Sequence, residues 1–251
     1  MPKVIADITM SLDGFVTGEG ADEQHGLGDA PELHTWVMQQ DAVDTEILER
    51  ATAQSGAVVM GRRLFDIVDG PGGWNEDMGY GADQTGSPPF FVVTHAPPQD
   101  VRLERELGMR FTFVDDLATA VDQARGAATH GDVVIMGGGD VMGQTLEQGL
   151  VDELRIHLAP MLLGGGTPLF KPGTRQMYRQ RDVRPSKNAV HLAYERVQRQ
   201  LQVLEMNLAE GLAVHGQAGT DGDARTGQRN HEDADPGMLG LGVRVGSGGK
   251  P

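Results

Sequence analysis

The chain has 251 residues, 39% of them apolar, no cysteine and a formal net charge of −15. That length can bury one good core, and the missing cysteines exclude disulfides, thiolate nucleophiles and cysteine metal sites. The acidic balance argues against nucleic acid or an anionic membrane as partner, since phosphate binding needs clustered Lys and Arg. No apolar run is long enough to span a bilayer and no export signal is visible, so a cytoplasmic location is expected.

Strands and helices alternate along the chain. Residues 4–10 form a first strand, followed by a polar, glycine-rich loop. Helical periodicity returns at 33–39 and 43–53, and 56–61 is a buried strand leading into a helix at 62–68. Strands follow at 89–94 and 110–114, and then an amphipathic helix at 117–128 with Leu117, Ala120, Val121 and Ala124 on one side. The strand at 133–136 runs into three glycines and another helix, and "ELRIHLAP" is a strand stopped by Pro160. Two final strands, near 178–183 and 189–197, have no helix between them. The reading is an α/β fold with a mixed, mostly parallel sheet, flanking helices and antiparallel edge strands at the C-terminal end. The folded domain is placed at 1–197. Residues 198–251 carry 11 glycines in 54 positions, far above the roughly 7% of ordinary chains. They are read as a disordered tail with one short helix at 201–214.

"VVIMGGGDVMGQTLEQGL" carries the first chemical signal. Gly137, Gly138 and Gly139 lie between a strand and a helix, where bare N–H groups at a helix N-terminus make an anion site. A plain tight turn fits as well. Two further strands end at the same sheet edge, where ligands of parallel sheets bind. "VVMGRRLFD" ends in Gly61 and opens a helix with Arg62 and Arg63, and "FVVTHAPP" ends in Thr94. Glycine N–H groups, a guanidinium and a hydroxyl together make a phosphate-binding set. Asp13, in "SLDGFVTG", is the best polar contact for a substrate, though an Asp-Gly pair also makes an ordinary turn. Trp74, in "GPGGWNE", offers a stacking face or a loop anchor. Asp7 needs partners if its strand is covered on both faces. The carboxylates Asp44 and Glu46 suit an exposed helix start. The histidines are scattered, His25 and His34 being the nearest pair, and each reads as solvated or structural. No metal-ligand spacing competes.

The order and spacing of these motifs resemble dihydrofolate reductase. "ITMSLDGFVTG" and "HLAPMLLGGGTPLF" are more similar to the C-terminal reductase domain of the riboflavin-biosynthesis deaminase–reductase, and the likeness covers residues 1 to about 197. The resemblance implies a dihydrofolate reductase-like fold binding NADPH in an extended pose. It places Arg62 at the 2′-phosphate of the adenosine with Thr94 nearby. Gly137 and Gly138 match paired glycines under the nicotinamide and diphosphate, often joined by a cis peptide. Val141 and Met142 match the helix start beside the diphosphate, and Thr9 and Val16 the nicotinamide pocket. Met136 and Gly137 depart from the riboflavin-pathway E-G-G pattern, and a clear folate-binding acid is missing. The reading is therefore an NADPH-dependent oxidoreductase, homodimeric, acting on a small pteridine- or pyrimidine-like heterocycle. The riboflavin-pathway 5-amino-6-(5-phosphoribosylamino)uracil reductase and a non-catalytic nucleotide-binding module on the same fold stand as alternatives.

Overall fold

A computed structural model describes residues 1–22, 25–76, 79–80, 88–173 and 175–197. The tail expected at 198–251, with its helix at 201–214, lies outside the described residues. In chain order the elements are β1 (Val4–Ser11), β2 (Phe15–Thr17), a 3-10 turn (Pro31–His34), α1 (Thr35–Met38) and α2 (Ala42–Gln54). They continue with β3 (Ser55–Gly61), α3 (Arg62–Asp69), β4 (Phe90–Val93), α4 (Arg102–Leu107), β5 (Phe111–Val114) and α5 (Leu117–Ala127). Last come β6 (Asp132–Met136), α6 (Gly139–Glu147), β7 (Glu153–Ala159), β8 (Thr167–Pro168), β9 (Tyr178–Pro185) and β10 (Val190–Arg196).

Eight strands form one sheet in the order β5-β4-β3-β6-β1-β7-β10-β9. The six strands from β5 to β7 run parallel. β10 pairs antiparallel with both β7 and β9, as expected for strands joined without a crossover helix. β2 and β8 make a separate two-stranded ribbon. Every residue of β3 is buried, which suits a central parallel strand covered on both faces. β9 carries Arg179, Arg181 and Arg184 and is mostly exposed, a charged edge that resists pairing with another chain.

Alternation along the strands divides the core into two layers. Ala6, Val59, Val133, Ile135 and Ile156 face α5 and α6, where Val121, Ala124, Met142 and Leu146 complete one cluster. Val58, Met60, Phe90 and Val92 face the other way, against Phe65 and Val68 of α3. α5 starts where Asp116 accepts the Thr119 N–H, and α2 starts in a reciprocal capping box between Asp41 and Asp44. The short α4, not anticipated above, buries only Leu103 and ends at left-handed Gly108, φ +63°. Among the described residues, no helix is long and apolar enough to cross a membrane.

Candidate active site

The site grows from the register of three strands. Thr9 of β1 lies beside His157 of β7, and His157 lies beside His191 of β10. Asp7, two residues before Thr9 and therefore on the same face, is flanked by Met136 of β6 and Arg155 of β7. A cavity of about 440 Å³ opens over this face, lined among others by Asp7, Thr9, Trp36, Trp74, Met136 and Gly137. That volume suits a small heterocycle.

Trp36 sets the wall. Its indole Nε1 donates to Thr9 Oγ1 at 3.0 Å, and its ring lies 4.2 Å from the His157 ring at 35°. Trp74 packs against Tyr80 and Phe90, and its carbonyl accepts from Arg102 at 2.7 Å. The residue is thus both a loop anchor and part of the cavity lining. Tyr80 also lines the cavity and bonds Ser55 Oγ; burial pushes its phenol up to about 12. Burial pushes the His34 imidazole down, and His157 adds to that effect.

Four ionisable groups meet here, Asp7 and His157 in the lining and His191 and Asp44 behind it. His157 Nε2 is 2.8 Å from Asp7 Oδ1, His157 Nδ1 is 2.7 Å from His191 Nδ1, and His191 Nε2 is 2.9 Å from Asp44 Oδ1. Burial raises the Asp7 carboxyl, yet the bonded His157 and the charge of Arg155 outweigh it, so Asp7 lies below its ordinary value. Burial pushes His191 down despite the hydrogen bond to Asp44. Sequence reasoning missed this cluster, because it weighed each histidine by its neighbours along the chain. A usable signal was present: His157 and His191 each lie on a strand, and antiparallel pairing of those strands makes them face one another. Glu46, by contrast, is held on the surface by Arg184 at 2.6 Å.

The three glycines have three different reasons. Gly137 has φ +51° and a side chain there would strike Leu64. Gly138 has φ +74°, and a Cβ there would meet nothing within 4 Å. Gly139 is shut in: its Cβ would lie 2.4 Å from Thr167 Cγ2 and 3.2 Å from Val16 Cγ2. Among the described residues no peptide bond is cis, so the Gly137–Gly138 bond is trans. Two successive left-handed glycines reverse the chain there instead. The open ledge is therefore a single residue wide.

Gly61 abuts Val141, whose Cγ2 would lie 2.8 Å from an added Cβ, so the first turn of α6 sits against the β3–α3 turn. Arg62 at that turn bonds Asp66 at 2.7 Å and donates to the Ala96 carbonyl. Thr94 Oγ1 accepts the Ala96 N–H at 3.1 Å, so Arg62 and Thr94 meet on one loop. The Met142 side chain is wholly buried and Val16 is 4% exposed; both belong to the core.

Asp13 is not part of the cavity lining. Its carboxylate accepts from Ser11 Oγ at 2.6 Å, from Gly164 N at 2.7 Å and from Leu163 N at 3.1 Å. It ties the β1–β2 turn to the loop after β7. The Ser11 hydroxyl and the two amides hold its pKa at about 2, below the ordinary 3.8. A depressed carboxyl contributes stability above its unfolded value and loses it as pH falls through its folded value. Acid unfolding is thus expected to steepen between pH 3.8 and about 2, and Asp13→Asn should remove that component. Circular dichroism against pH checks it.

Residues 2–192 match the RibD C-terminal domain family. The chain is 24% identical over 170 residues to the protein YyaP of Bacillus subtilis (strain 168), covering 67% of this chain and 80% of that one. It is 27% identical over 180 residues to the 2,5-diamino-6-ribosylamino-4(3H)-pyrimidinone 5′-phosphate reductase of Methanothermobacter thermautotrophicus, covering 65% and 80%. Its fold is similar to that of Acinetobacter baumannii RibD, with TM-score 0.55, 18% identity and coverage of 78% and 58%.

Proposed function

The chain belongs to the RibD C-terminal domain family, and from that premise we propose that it is an NADPH-dependent reductase of a small planar heterocycle of the pyrimidine or pteridine class. One observation carries the reading: the bare ledge at Gly138 adjoins Gly137, which lines the cavity holding Asp7 and Thr9. The ledge would hold a flat cofactor ring beside the cavity that would take the substrate.

The residues fit a dinucleotide. Gly138 leaves its surface open, and the first turn of the nine-residue α6 has amides without helical partners, suited to a diphosphate. Arg62 and Thr94 offer a guanidinium and a hydroxyl for a further phosphate. Bound there, NADPH supplies the hydride. The protein's own part is to orient and to exclude water. Trp36, fixed by Thr9, and Trp74 make flat apolar walls, and Asp7 presents its carboxyl group to the substrate edge. Met136 lines the cavity where the riboflavin-pathway pattern has a glutamate, which favours a heterocycle other than the riboflavin precursor. Rescue of a riboflavin auxotroph by this chain is accordingly not expected.

Nicotinamide fluorescence tests the cofactor. NADPH should bind at micromolar or tighter Kd and NADH at least about tenfold more weakly, a gap of about 1.4 kcal/mol. Arg62→Ala should close most of that gap by weakening NADPH alone. Equal affinities in the wild type, or an unchanged Kd in Arg62→Ala, would refute the role given to Arg62.

A further inference from the structure

Hydride transfer leaves a proton to be found, and the strongest unexplained feature of the molecule is the line Asp7–His157–His191–Asp44. Its bonds of 2.8, 2.7 and 2.9 Å run from the cavity into the interior. The central bond joins two Nδ1 atoms. Two protons there would collide and none would leave two lone pairs facing, so it holds one. The same reasoning gives one proton to each imidazole–carboxylate bond. Two carboxylates and two imidazoles sharing three protons carry a net charge of −1. Asp44 is fully buried, His191 is 4% exposed, and the second Asp44 oxygen accepts the Asp41 N–H. Asp7 and His157 line the cavity, and Asp7 is the open end, with a fifth of its side chain exposed against 6% for His157.

We propose that these four residues are one proton-sharing unit, the acid–base group of the cavity, loaded and discharged at Asp7. The proposal rests on the reductase reading. While the cavity is open, water solvates the charge at Asp7. A planar substrate covering Asp7 removes that water, and a buried net charge is costly, so a fourth proton enters from solvent onto the Asp7 carboxylate. When hydride from the reduced nicotinamide adds to the substrate carbon, the Asp7 O–H bond breaks and a new N–H or O–H bond forms on the substrate. Asp7 returns to the carboxylate held by His157 Nε2–H, and the unit again holds three protons. His157, His191 and Asp44 are positioning residues acting through Asp7.

Other charges face the line without replacing it. Arg155, beside Asp7 on β7, is engaged by Glu153 at 2.7 Å, and Arg184 by Glu46. Arg50 and Asp182 border a small adjoining cavity that Asp7, His157 and His191 also line, His34 and Tyr80 line the main one, and Asp41 lies next to Asp44 in the α2 cap.

Nitrogen-15 histidine spectra of the full chain, with no ligand added, give the primary test. A scalar coupling is expected between the two Nδ1 atoms, with one exchange-protected proton between them. Asp44→Asn should shift the His157 nitrogens although residue 44 touches His191 and not His157. Absence of coupling, or two rings that titrate independently, would overturn the proposal whether or not a variant folds. With dihydrofolate as the probe oxidant for NADPH, Asp7→Asn should lower kcat about a hundredfold, in the range of lost general acid catalysis. Asp44→Asn should lower kcat about tenfold and displace its pH profile with KM unchanged; a wild-type profile in that variant would overturn proton delivery through the line. NADPH affinity should stay at the wild-type value in both. If NADPH does not bind the wild type, the reductase reading falls, and the nitrogen coupling still decides the shared proton.

Discussion

Gly138→Ala should abolish tight NADPH binding, weakening it by about a hundredfold or more, or about 2.7 kcal/mol, while the protein still folds. Gly139→Ala should do the converse. At Gly138 an added Cβ enters open space, so the fold loses only the conformational term for a side chain at φ +74°, about 1–3 kcal/mol. The methyl group stands where the ring of the cofactor is proposed to lie. At Gly139 the Cβ would lie 2.4 Å from Thr167 Cγ2. Thr167 cannot swing away freely, because its hydroxyl is bonded to Thr17 Oγ1 at 2.9 Å across the β2–β8 ribbon. Overpacking of that kind costs about 1–3 kcal/mol and should appear as a lowered Tm. Fluorescence titration and thermal unfolding of the two variants separate the effects. Undiminished NADPH affinity in Gly138→Ala would remove the ledge from the proposed site.

The same contrast explains what was legible in the residues. The parallel strands were readable because apolar runs such as Val58–Val59–Met60 are needed only where both faces are covered. The bare glycines after β6 were readable as a place of close approach. Which of the three faces a ligand was not, because Thr167 and Val16 reach Gly139 from elements remote in sequence. β2 and β8 escaped for the same reason: three and two residues long, they hold together by pairing across some 150 positions. Asp13 was picked out as polar and turn-placed. Its acceptor role toward Leu163 and Gly164 depends on a loop that no local pattern connects to it. Asp44 looked like an exposed helix-start acid and is fully buried. Its capping role in α2 was in the pattern, whereas its contact with His191 comes from the antiparallel return of β10.

That burial sets the largest stability effect expected in this molecule. Asp44→Ala should destabilise the domain by about 3–5 kcal/mol, the usual cost of removing one partner of a buried charge-capable pair. At about 2–4 °C per kcal/mol for a domain of this size, the Tm should fall by on the order of 10 °C. The cost arises because His191 Nε2 is left in the interior without its acceptor, and because the Asp41 N–H loses its cap. Removing both members should cost less than the sum: Asp44→Ala with His191→Leu leaves no stranded ring, and coupling within such networks runs to about 0.5–3 kcal/mol. The pH dependence has a fixed sign. His191 and His34 are depressed by burial, so the folded state binds fewer protons than the unfolded chain below the ordinary histidine value of 6.5. These two groups therefore contribute stability that is present above that value and lost as pH falls beneath it. Asp7, depressed below 3.8, adds a second loss at lower pH. His191→Leu should shrink the first phase and leave the second; denaturant titrations at a series of pH values read both. An unchanged first phase would mean that His191 contributes nothing to the loss of stability below pH 6.5.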